Sequence, residues 1–479
     1  MRATHHSDLW TVGGFDPSGG AGITADLAAF QRIGLQATSL VTTVTAQSPL
    51  EFRKSYPVTR EAFGDLWETA SNFVAPTVIK MGMFSSEEII EEAAFRMHLL
   101  GKSSCKSVID PVFRASRSLE VGDDSLIHYF KTKLLPHAYV LTPNAQEAFL
   151  LTGVKVVDRD SQIAAAKLLH VAGVEIVIIK GGHLADEDQS TSSDYYSDQF
   201  HRFFMTGPRQ NKEVHGTGCV FASALAAYLY TGEEPHNAAI KAKHFVSAAI
   251  ETAVSRCDEP SIIQFPSIAV DQKQFPVVEF HGTPLAAIKE SPSCIADLGL
   301  YGIVNRSQQV EEYAKRGLKT LQLRIKDSTE EHIRLEVKKS VEISEQFGMQ
   351  LFVNDYWQVA IEEKAYGIHL GQEDLQKLTR EQLNEIKAAD LRVGISTHEH
   401  LELARALAIK PSYVALGPIY KTTCKSMKFG PQGLAKIREW SQLTSVPVVA
   451  IGGLKCRMIE DIRALGADGL AVISDLPNC

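Results

Sequence analysis

Apolar and polar positions in the first half of the chain follow two alternating patterns. Short β-branched runs predict strands at residues 9–14, 37–44, 77–83, 107–112, 138–143 and 175–181. Stretches with apolar residues at helical spacing separate them, and these predict helices such as 21–33, 61–73 and 86–100. Because strands that alternate with helices form parallel sheets covered on both faces, this half is predicted to be an α/β/α domain.

The pattern changes after residue 182. Residues 194–205 are rich in aromatic and polar side chains and predict a small antiparallel segment or a loop. Two helices are predicted next, at 217–230 and 235–256. Residues 258–296 then carry five of the chain's 19 prolines. Since proline lacks an N–H donor and breaks helices, this stretch is predicted to be a linker between domains 1–257 and 297–479.

A second alternating series fills the rest of the chain. Eight strands are predicted, at residues 298–304, 320–325, 350–354, 366–370, 392–396, 413–417, 446–451 and 469–474. Helical stretches separate them, and eight β/α repeats predict a closed (β/α)8 barrel. Only five residues follow the last predicted strand, so no outer helix is expected after it.

Composition and charge narrow the class of protein. Hydrophobic residues make up 44% and charged residues 22% of the chain, which is typical of globular proteins. The formal net charge of −8 offers no diffuse attraction to nucleic acid or to an anionic membrane, so any phosphate site must be local. The seven scattered cysteines predict neither a disulfide framework nor a metal knuckle. With no apolar leader and no membrane-length run, a cytoplasmic protein is expected, and its oligomeric state stays open.

Two glycine-rich motifs in the first half are candidate anion sites. The first strand ends in a glycine-rich turn, residues 13–22, that no Gly-Lys-Ser/Thr follows, so it is not a P-loop. The second motif, HGTGC at residues 215–219, precedes an apolar helix whose N–H groups and dipole could hold charge on a transferred phosphoryl group. Without a ligand, the first motif could simply be a tight strand-to-helix turn, and the cysteine of the second could be a small buried residue in a capped helix.

Polar groups also follow several predicted strands of this half. Asp110, Asn144 and Lys180 each lie at a strand end, where ligands of open α/β sheets bind. Glu147 lies three residues after Asn144 and is equally compatible with a helix cap.

Together these motifs resemble those of the hydroxymethylpyrimidine/phosphomethylpyrimidine kinases, which have a ribokinase-like fold. The resemblance covers about residues 9–256 and implies two phosphorylations of the pyrimidine precursor of thiamine, with ATP and Mg²⁺. It implies a pyrimidine pocket formed by Gly14, Asp26, Gln47, Met83 and Val112. It implies Mg²⁺ and nucleotide contacts from Asp110, Asn144, Glu147, Lys180 and Gly182. It implies an anion hole and catalytic position at Gly216, Gly218 and Cys219.

Two positions depart from the pattern of related kinases. Sugar-kinase relatives carry Asp where this chain has Cys219, so the thiol could act as a base or as a member of the anion hole. Phe15 stands where Ser or Thr is usual, and no assigned role depends on it.

The predicted barrel carries its polar groups at the carboxyl ends of its strands, where barrel enzymes place their chemistry. Alternation puts Gln322, Arg324 and Lys326 on one side of the second strand. Asp355 and Asp374 follow adjacent strands and suit one Mg²⁺ that a polyphosphate also ligates. The loops after the seventh and eighth strands commonly hold a phosphate in such barrels. Together with the cations and the carboxylate pair, they predict one diphosphate and one monophosphate substrate and the displacement of pyrophosphate.

This region resembles thiamine-phosphate synthase, which joins hydroxymethylpyrimidine diphosphate to thiazole phosphate. The resemblance implies that Gln322 holds the pyrimidine and that Asp355 and Asp374 hold Mg²⁺. It implies pyrophosphate contacts from Arg324, Lys326, Asn354, Ser396 and Lys425, the last also catalytic. It implies thiazole phosphate contacts from Thr422, Gly453, Ile473 and Ser474. Cys424 stands where the family often has a second Thr.

Other functions remain open from the sequence. The first domain could be a pyridoxal-type vitamin kinase, although Gln47 and Cys219 favour the pyrimidine kinase. The barrel could be a thiazole tautomerase relative, or a catalytically impaired or regulatory domain. Asp355, Asp374 and Lys425 favour an active synthase.

Overall fold

The computed structural model describes residues 7–48, 51–113, 124–182, 190–210, 212, 214–253, 261–263, 274–280, 287–295, 297–421 and 429–479. The chain divides into two compact units, residues 1–269 and 270–479. The division falls inside the predicted linker. No helix in these described ranges is long and apolar enough to cross a membrane.

The first unit is built on one sheet. Its strands are Leu9–Phe15 (β1), Thr38–Gln47 (β2), Phe52–Pro57 (β3), Val78–Met81 (β4), Lys106–Ile109 (β5), Val140–Leu141 (β6), Ile176–Ile179 (β7), Thr191–Ser197 (β8) and Arg202–Pro208 (β9). Their order is β9-β8-β7-β6-β5-β4-β1-β2-β3. β2, β1, β4, β5, β6 and β7 pair in parallel, whereas β3, β8 and β9 pair antiparallel. A separate parallel pair joins Val214–His215 (β10) to Ser261–Ile262 (β11).

Helices cover this sheet. They are Gly22–Ile33 (α1), Arg60–Phe73 (α2), Glu87–Leu100 (α3), Asp124–Tyr129 (α4), Ala145–Thr152 (α5), Arg159–Val171 (α6), Thr217–Tyr230 (α7) and Pro235–Glu251 (α8). A π turn, Phe130–Leu134, and a 3₁₀ turn, Leu135–His137, follow α4. Helix α7 is apolar on almost all sides and therefore lies buried.

The predicted parallel α/β architecture of this unit is confirmed. Residues 194–205 belong to the antiparallel hairpin β8–β9, which extends the main sheet through β7. Strand β3 was not predicted, because its sequence FRKSYP is polar, mostly exposed and ends in a proline, as edge strands often do.

The second unit contains a closed parallel barrel of eight strands. They are Gly299–Val304 (β13), Thr320–Leu323 (β14), Gln350–Asn354 (β15), Gly367–Leu370 (β16), Arg392–Thr397 (β17), Tyr413–Leu416 (β18), Val448–Ile451 (β19) and Gly469–Val472 (β20). A short strand, Val277–Val278 (β12), precedes them. The helices are Ser307–Lys315 (α9), Glu330–Phe347 (α10), Trp357–Glu362 (α11), Gln372–Lys377 (α12), Arg380–Ala388 (α13), His400–Ala408 (α14), Leu434–Leu443 (α15) and Ile459–Ala464 (α16). The predicted (β/α)8 barrel is thus confirmed.

A 3₁₀ turn, Leu476–Asn478, follows β20 where the sequence predicts no outer helix. Leu476 is buried against Gly302 of β13, whose missing Cβ would lie 3.0 Å from the Leu476 side chain. The turn also brings Cys479 close to Cys456, with their Cα atoms 5.6 Å apart.

Candidate active sites

A cavity of about 990 Å³ lies at the carboxyl ends of the parallel strands in the first unit. The sequence predicted thirteen ligand-binding or catalytic residues here, and all of them except Asp26 line the cavity. They come from the ends of β1, β2, β4, β5, β6 and β7 and from the start of α7. This is the position that open α/β sheets offer to ligands.

Asp26 lies beneath the cavity wall and does not line it. Its buried carboxylate accepts hydrogen bonds from the Thr11 hydroxyl at 2.6 Å, the Ser223 hydroxyl at 2.6 Å and Lys80 Nζ at 2.9 Å. These donors occupy both carboxylate oxygens, so none is left for a substrate. The structure therefore corrects the predicted direct contact, because the position of Asp26 on the inner face of α1 buries it.

Asp110 and Lys180 form the charged centre of the cavity. Lys180 Nζ lies 2.8 Å from Asp110 Oδ1, and the Thr142 hydroxyl donates to the same oxygen at 3.0 Å. Burial alone would raise the pKa of Asp110, but the positive charges of Lys180 and Lys80 lower it by a larger amount. The pKa is therefore below its usual value, and the carboxylate stays charged.

Glu147 serves as a helix cap and also faces the cavity. Its carboxylate accepts the Asn144 N–H at 2.7 Å, and the Asn144 side chain accepts the Glu147 N–H at 2.9 Å. This is a capping box at the start of α5. Burial raises the pKa of Glu147 to about 7, so the group changes charge near neutral pH.

The two glycine-rich motifs are in contact. Gly216 has φ +83°, and a Cβ on it would lie 1.8 Å from the Gly20 carbonyl oxygen. Asp16 shapes the first motif by accepting the Ser18 N–H at 2.8 Å and the Ala21 N–H at 2.9 Å. Only glycine therefore fits at residue 216, and the two loops form one wall of the cavity.

Cys219 lies in this wall at the first turn of α7. Burial raises the pKa of its thiol to about 11, although Lys80 acts in the opposite direction. Gly218 leaves room for Lys180, since a Cβ there would lie 3.1 Å from Lys180 Nζ. A protonated thiol favours membership of the anion hole over action as a base.

Sequence reasoning assigned no role to several charged residues of this cavity. Lys80 lies in β4, a strand buried on both faces. A buried charge is costly unless it is paired, so a lysine in such an apolar strand is the signal that could have marked this residue. Lys243 pairs with Asp194 at 2.8 Å, and Asp194 accepts the Gly181 N–H at 2.9 Å. No local pattern links Lys243 and Asp194, which lie 49 residues apart.

The mouth of the barrel brings the predicted metal carboxylates together. Asp374 has a raised pKa, first because of burial and then because of the negative charge of Asp355. Asp355 has φ +65°, a left-handed conformation that is strained for a residue with a side chain. Lys326 Nζ contacts the Asp355 carboxylate.

A cleft of about 330 Å³ opens at Lys326, and neither Asp355 nor Asp374 lines it. Arg324, Lys326 and Ile473 line it, together with Asn305 and Asp327. The cleft therefore places cations from the end of β14 near the segment that follows β20.

Ser396 belongs to a buried hydrogen-bonded group that the sequence did not reveal. His369 Nε2 lies 2.8 Å from Ser396 Oγ, and His369 Nδ1 lies 2.7 Å from the Tyr413 hydroxyl. Burial lowers the pKa of His369 to about 4, so its ring is neutral near pH 7. Gln322 lies at the other end of this group and is nearly fully buried.

The remaining predicted residues of the barrel lie at its strand ends. Asn354 closes β15 and is buried, whereas Ser474 follows β20 and is exposed. Gly453 has φ +70°, and a Cβ on it would lie 2.7 Å from the Tyr420 side chain, so a side chain there would clash. Thr422, Cys424 and Lys425 lie outside the described residues.

Families of known proteins match both halves of the chain. The family described as phosphomethylpyrimidine kinase matches residues 16–260, and that described as thiamine monophosphate synthase matches residues 299–476. The thiamine-phosphate synthase of Escherichia coli O157:H7 is 44% identical over 178 residues, which are 37% of this chain and 83% of that protein. The chain belongs to the phosphomethylpyrimidine kinase and thiamine-phosphate synthase families.

Other relatives agree with this membership. The thiamine-phosphate synthase of Shigella flexneri is also 44% identical over 178 residues, 37% of this chain and 83% of its own length. An ADP complex of Bacillus subtilis pyridoxal kinase matches the kinase half with a TM-score of 0.50 and 29% identity, covering 54% of this chain and 96% of that one. Both halves are enzymes, a phosphomethylpyrimidine kinase and a thiamine-phosphate synthase, and they serve thiamine biosynthesis.

Proposed function

We propose that the kinase half phosphorylates hydroxymethylpyrimidine and then its monophosphate, and that the barrel joins the diphosphate to thiazole phosphate. ATP and Mg²⁺ support the first reactions, and Mg²⁺ supports the second. The observation that carries the proposal is that the residues predicted for the pyrimidine and those predicted for the phosphoryl group line one kinase cavity. The ADP complex of the similar pyridoxal kinase supports ATP as the phosphoryl donor.

The pyrimidine end of the cavity is formed by Gly14, Gln47, Met83 and Val112. A Cβ on Gly14 would lie 3.1 Å from Thr43 and 3.7 Å from Met83, so the glycine leaves this wall open to a flat ring. Gln47 hydrogen-bonds with Asp16, which contributes to the low pKa of that carboxyl. Asp16 thus fixes the amide that would recognise the aminopyrimidine.

The phosphoryl end of the cavity lies at the start of α7. The N–H groups of Gly216, Gly218 and Cys219 would stabilise negative charge on the transferred phosphoryl group, and Lys180 would add a positive charge. Asp110, Asn144 and Glu147 supply oxygen ligands of the kind Mg²⁺ prefers, and the nucleotide phosphates would supply the others.

The metal site of the barrel would use two carboxylates. In the described ranges, no group of three or more His, Cys, Asp or Glu side chains could hold a metal ion. Asp355 and Asp374 nevertheless suit Mg²⁺, because burial and the charge of Asp355 raise the pKa of Asp374, and a bound cation would relieve the repulsion between the two carboxylates. When bound, Mg²⁺ would neutralise charge on the leaving pyrophosphate.

The barrel residues would position both substrates. Gln322 would hold the pyrimidine, and Arg324, Lys326, Asn354, Ser396 and Lys425 would bind pyrophosphate. The thiazole phosphate would meet Thr422, Gly453, Ile473 and Ser474. Arg324 and Lys326 would stabilise the negative charge that develops on pyrophosphate as its bond to carbon breaks.

We assign the kinase domain to residues 1–257, the linker to 258–296 and the synthase domain to 297–479. The division at residue 269 supports a boundary inside the linker. Residues 287–295 contact the barrel, since Ser291 N–H donates to the Lys410 carbonyl at 3.1 Å and the Ser412 hydroxyl donates to the Pro292 carbonyl at 2.7 Å. The end of the linker thus packs with the second unit.

A pyridoxal kinase is the second candidate for the first unit, because the structure of such an enzyme matches it. ATP turnover by the whole chain, measured with hydroxymethylpyrimidine and with pyridoxal, separates the two functions. We expect higher kcat/KM with hydroxymethylpyrimidine, and we expect Gln47→Leu to remove that preference. Preference for pyridoxal in the unaltered chain would refute the assignment.

A further inference from the structure

A chain of hydrogen bonds crosses the interior of the barrel from Gln322 to Ser396. Gln322 Nε2 donates to the Tyr301 hydroxyl at 3.5 Å, and the hydroxyls of Tyr301 and Tyr413 are 2.7 Å apart. The Tyr413 hydroxyl lies 2.7 Å from His369 Nδ1, and His369 Nε2 lies 2.8 Å from Ser396 Oγ. The two ends of this chain are residues to which the proposed function gives different parts of one substrate.

The three middle residues have no role in the proposed reaction. Tyr301, Tyr413 and His369 are buried, and barrel interiors are usually filled by branched apolar side chains. The backbone makes specific room for one of them, since a Cβ on Gly394 would lie 2.1 Å from the Tyr413 ring. Buried polar groups are costly unless they are paired, so the complete pairing of this group needs an explanation.

The hydrogen bonds from Gln322 to Ser396 can point in only two directions, according to which partner donates in each bond. A neutral histidine carries one N–H, so one ring nitrogen of His369 donates and the other accepts. In the first direction each group donates to the next, from the Gln322 amide through Tyr301 and Tyr413 to His369 Nδ1, and His369 Nε2–H donates to Ser396 Oγ. In the reverse direction Ser396 donates to His369, and Tyr301 donates to a Gln322 amide turned over to present its oxygen.

The two directions present different groups to a ligand. The first leaves the Ser396 O–H free to donate and the Gln322 Oε1 free to accept, and it agrees with the observed placement of Gln322 Nε2 toward Tyr301. The reverse uses up the Ser396 hydrogen and turns the Gln322 NH₂ group to the ligand. A phosphate oxygen can only accept, so an anion at Ser396 selects the first direction.

We propose that Tyr301, Tyr413 and His369 are positioning residues that couple pyrophosphate binding at Ser396 to recognition of an amino group at Gln322. The substrate they select is a diphosphate whose ring carries a hydrogen-bond donor such as an exocyclic amine, because the Gln322 oxygen can only accept. The proposal rests on the proposed function of the barrel, which places the diphosphate at Ser396 and the ring at Gln322. It deepens that function by making the two contacts dependent on each other.

The tautomer of His369 tests the direction without any turnover. The whole chain would be labelled with ¹⁵N-histidine, and the His369 signals would be assigned by their loss in His369→Gln. With inorganic pyrophosphate and Mg²⁺ added, we expect a protonated Nε2 and an unprotonated Nδ1. The opposite tautomer under these conditions would overturn the proposal, whether or not the barrel condenses its substrates.

A double-mutant cycle tests the coupling itself. We expect the losses in kcat/KM for the aminopyrimidine diphosphate on Ser396→Ala and Gln322→Ala to be non-additive by at least about fivefold. In a Tyr413→Phe background, or in Tyr301→Phe if Tyr413→Phe does not fold, the two losses should simply multiply. Tyr366→Phe is the matched control. The Tyr366 hydroxyl donates to Gln350 at 2.7 Å and takes no part in the hydrogen bonds from Gln322 to Ser396, so this variant should keep the coupling.

The outcomes distinguish this proposal from the function on which it depends. The proposal would be overturned if the Ser396→Ala and Gln322→Ala losses stay non-additive in the Tyr413→Phe background, or if they already multiply when Tyr413 is intact. Either result would leave the synthase activity established. Absence of any condensation by the unaltered protein would refute the proposed function instead, and the histidine tautomer would still report the direction of the chain.

Discussion

Lys80 Nζ lies 2.9 Å from each carboxylate oxygen of Asp26, and neither side chain is more than 1% exposed. The Thr11 and Ser223 hydroxyls complete the coordination of the carboxylate. Burial alone would lower the pKa of Lys80, but the Asp26 carboxylate raises it above its usual range, so the ammonium stays charged beside the cavity. Asp26 therefore acts by holding Lys80 and not by touching the pyrimidine.

We expect Asp26→Asn to lower the free energy of unfolding of the kinase half by about 3–5 kcal/mol, because it leaves the Lys80 charge buried and uncompensated. Urea unfolding of the whole chain, followed by signals from each half, measures this change. Arg53→Gln is the control, since it breaks an exposed pair with Glu51 and should cost less than about 1 kcal/mol. A cost for Asp26→Asn as small as that of the control would contradict the closed pair.

Cys219 should act as a hydrogen-bond donor and not as a base. We expect Cys219→Ala to lower the kcat of phosphoryl transfer by ~10²–10³-fold, the loss typical of one anion-hole donor. Cys219→Ser keeps a donor and should retain most of that activity. Because burial raises the pKa of the thiol to about 11, its alkylation by iodoacetamide should accelerate up to that pH. Equal loss in both variants, with alkylation already maximal near neutral pH, would identify a thiolate base.

Asp374→Ala should abolish pyrophosphate release by the barrel while leaving the kinase reactions intact. The change removes half of the carboxylate pair that would hold Mg²⁺, whereas the kinase cavity lies in the other unit. Pyrophosphate release and ADP formation would be measured on the same sample. Glu373→Gln, which alters the exposed neighbouring carboxylate, should preserve both activities. Normal condensation by Asp374→Ala would show that this residue does not hold the metal.

Acid should destabilise the barrel through His369. Burial lowers the pKa of His369 to about 4 in the folded state, against about 6.5 in the unfolded state. The unfolded state therefore binds more protons between these values, and stability falls as the pH drops from 6.5 to 4, by about 3 kcal/mol. Chemical unfolding at several pH values with EDTA measures the slope, and His369→Gln should lack this contribution. An identical pH dependence in both proteins would contradict a neutral buried imidazole.

The parts of the kinase site that follow the sheet topology could be predicted from the sequence. Asp110 and Lys180 lie 70 residues apart, yet each ends a parallel strand, so their 2.8 Å contact follows from the fold class. The Ser223 bond to Asp26 spans 197 residues and depends on how α1 and α7 pack. Alternation and motif spacing carry no information on such packing, and the family resemblance that implied a pyrimidine contact for Asp26 does not describe it either.

In the barrel, too, some features could be predicted from the sequence and others could not. Its strands could be predicted, and β15 has the expected bounds, because β/α alternation repeats strongly. Alternation also turns Gln322 inward. It cannot show that Gln322 reaches Ser396 through Tyr301, Tyr413 and His369, because these five residues lie on five different strands and their meeting depends on barrel closure.

The most direct test of the account is one reaction of the purified whole chain with hydroxymethylpyrimidine, ATP, Mg²⁺ and thiazole phosphate, followed by ³¹P NMR. The account predicts thiamine phosphate together with two equivalents of ADP and one of pyrophosphate. Formation of ADP without thiamine phosphate, or phosphorylation of pyridoxal but not of the pyrimidine under the same conditions, would contradict it.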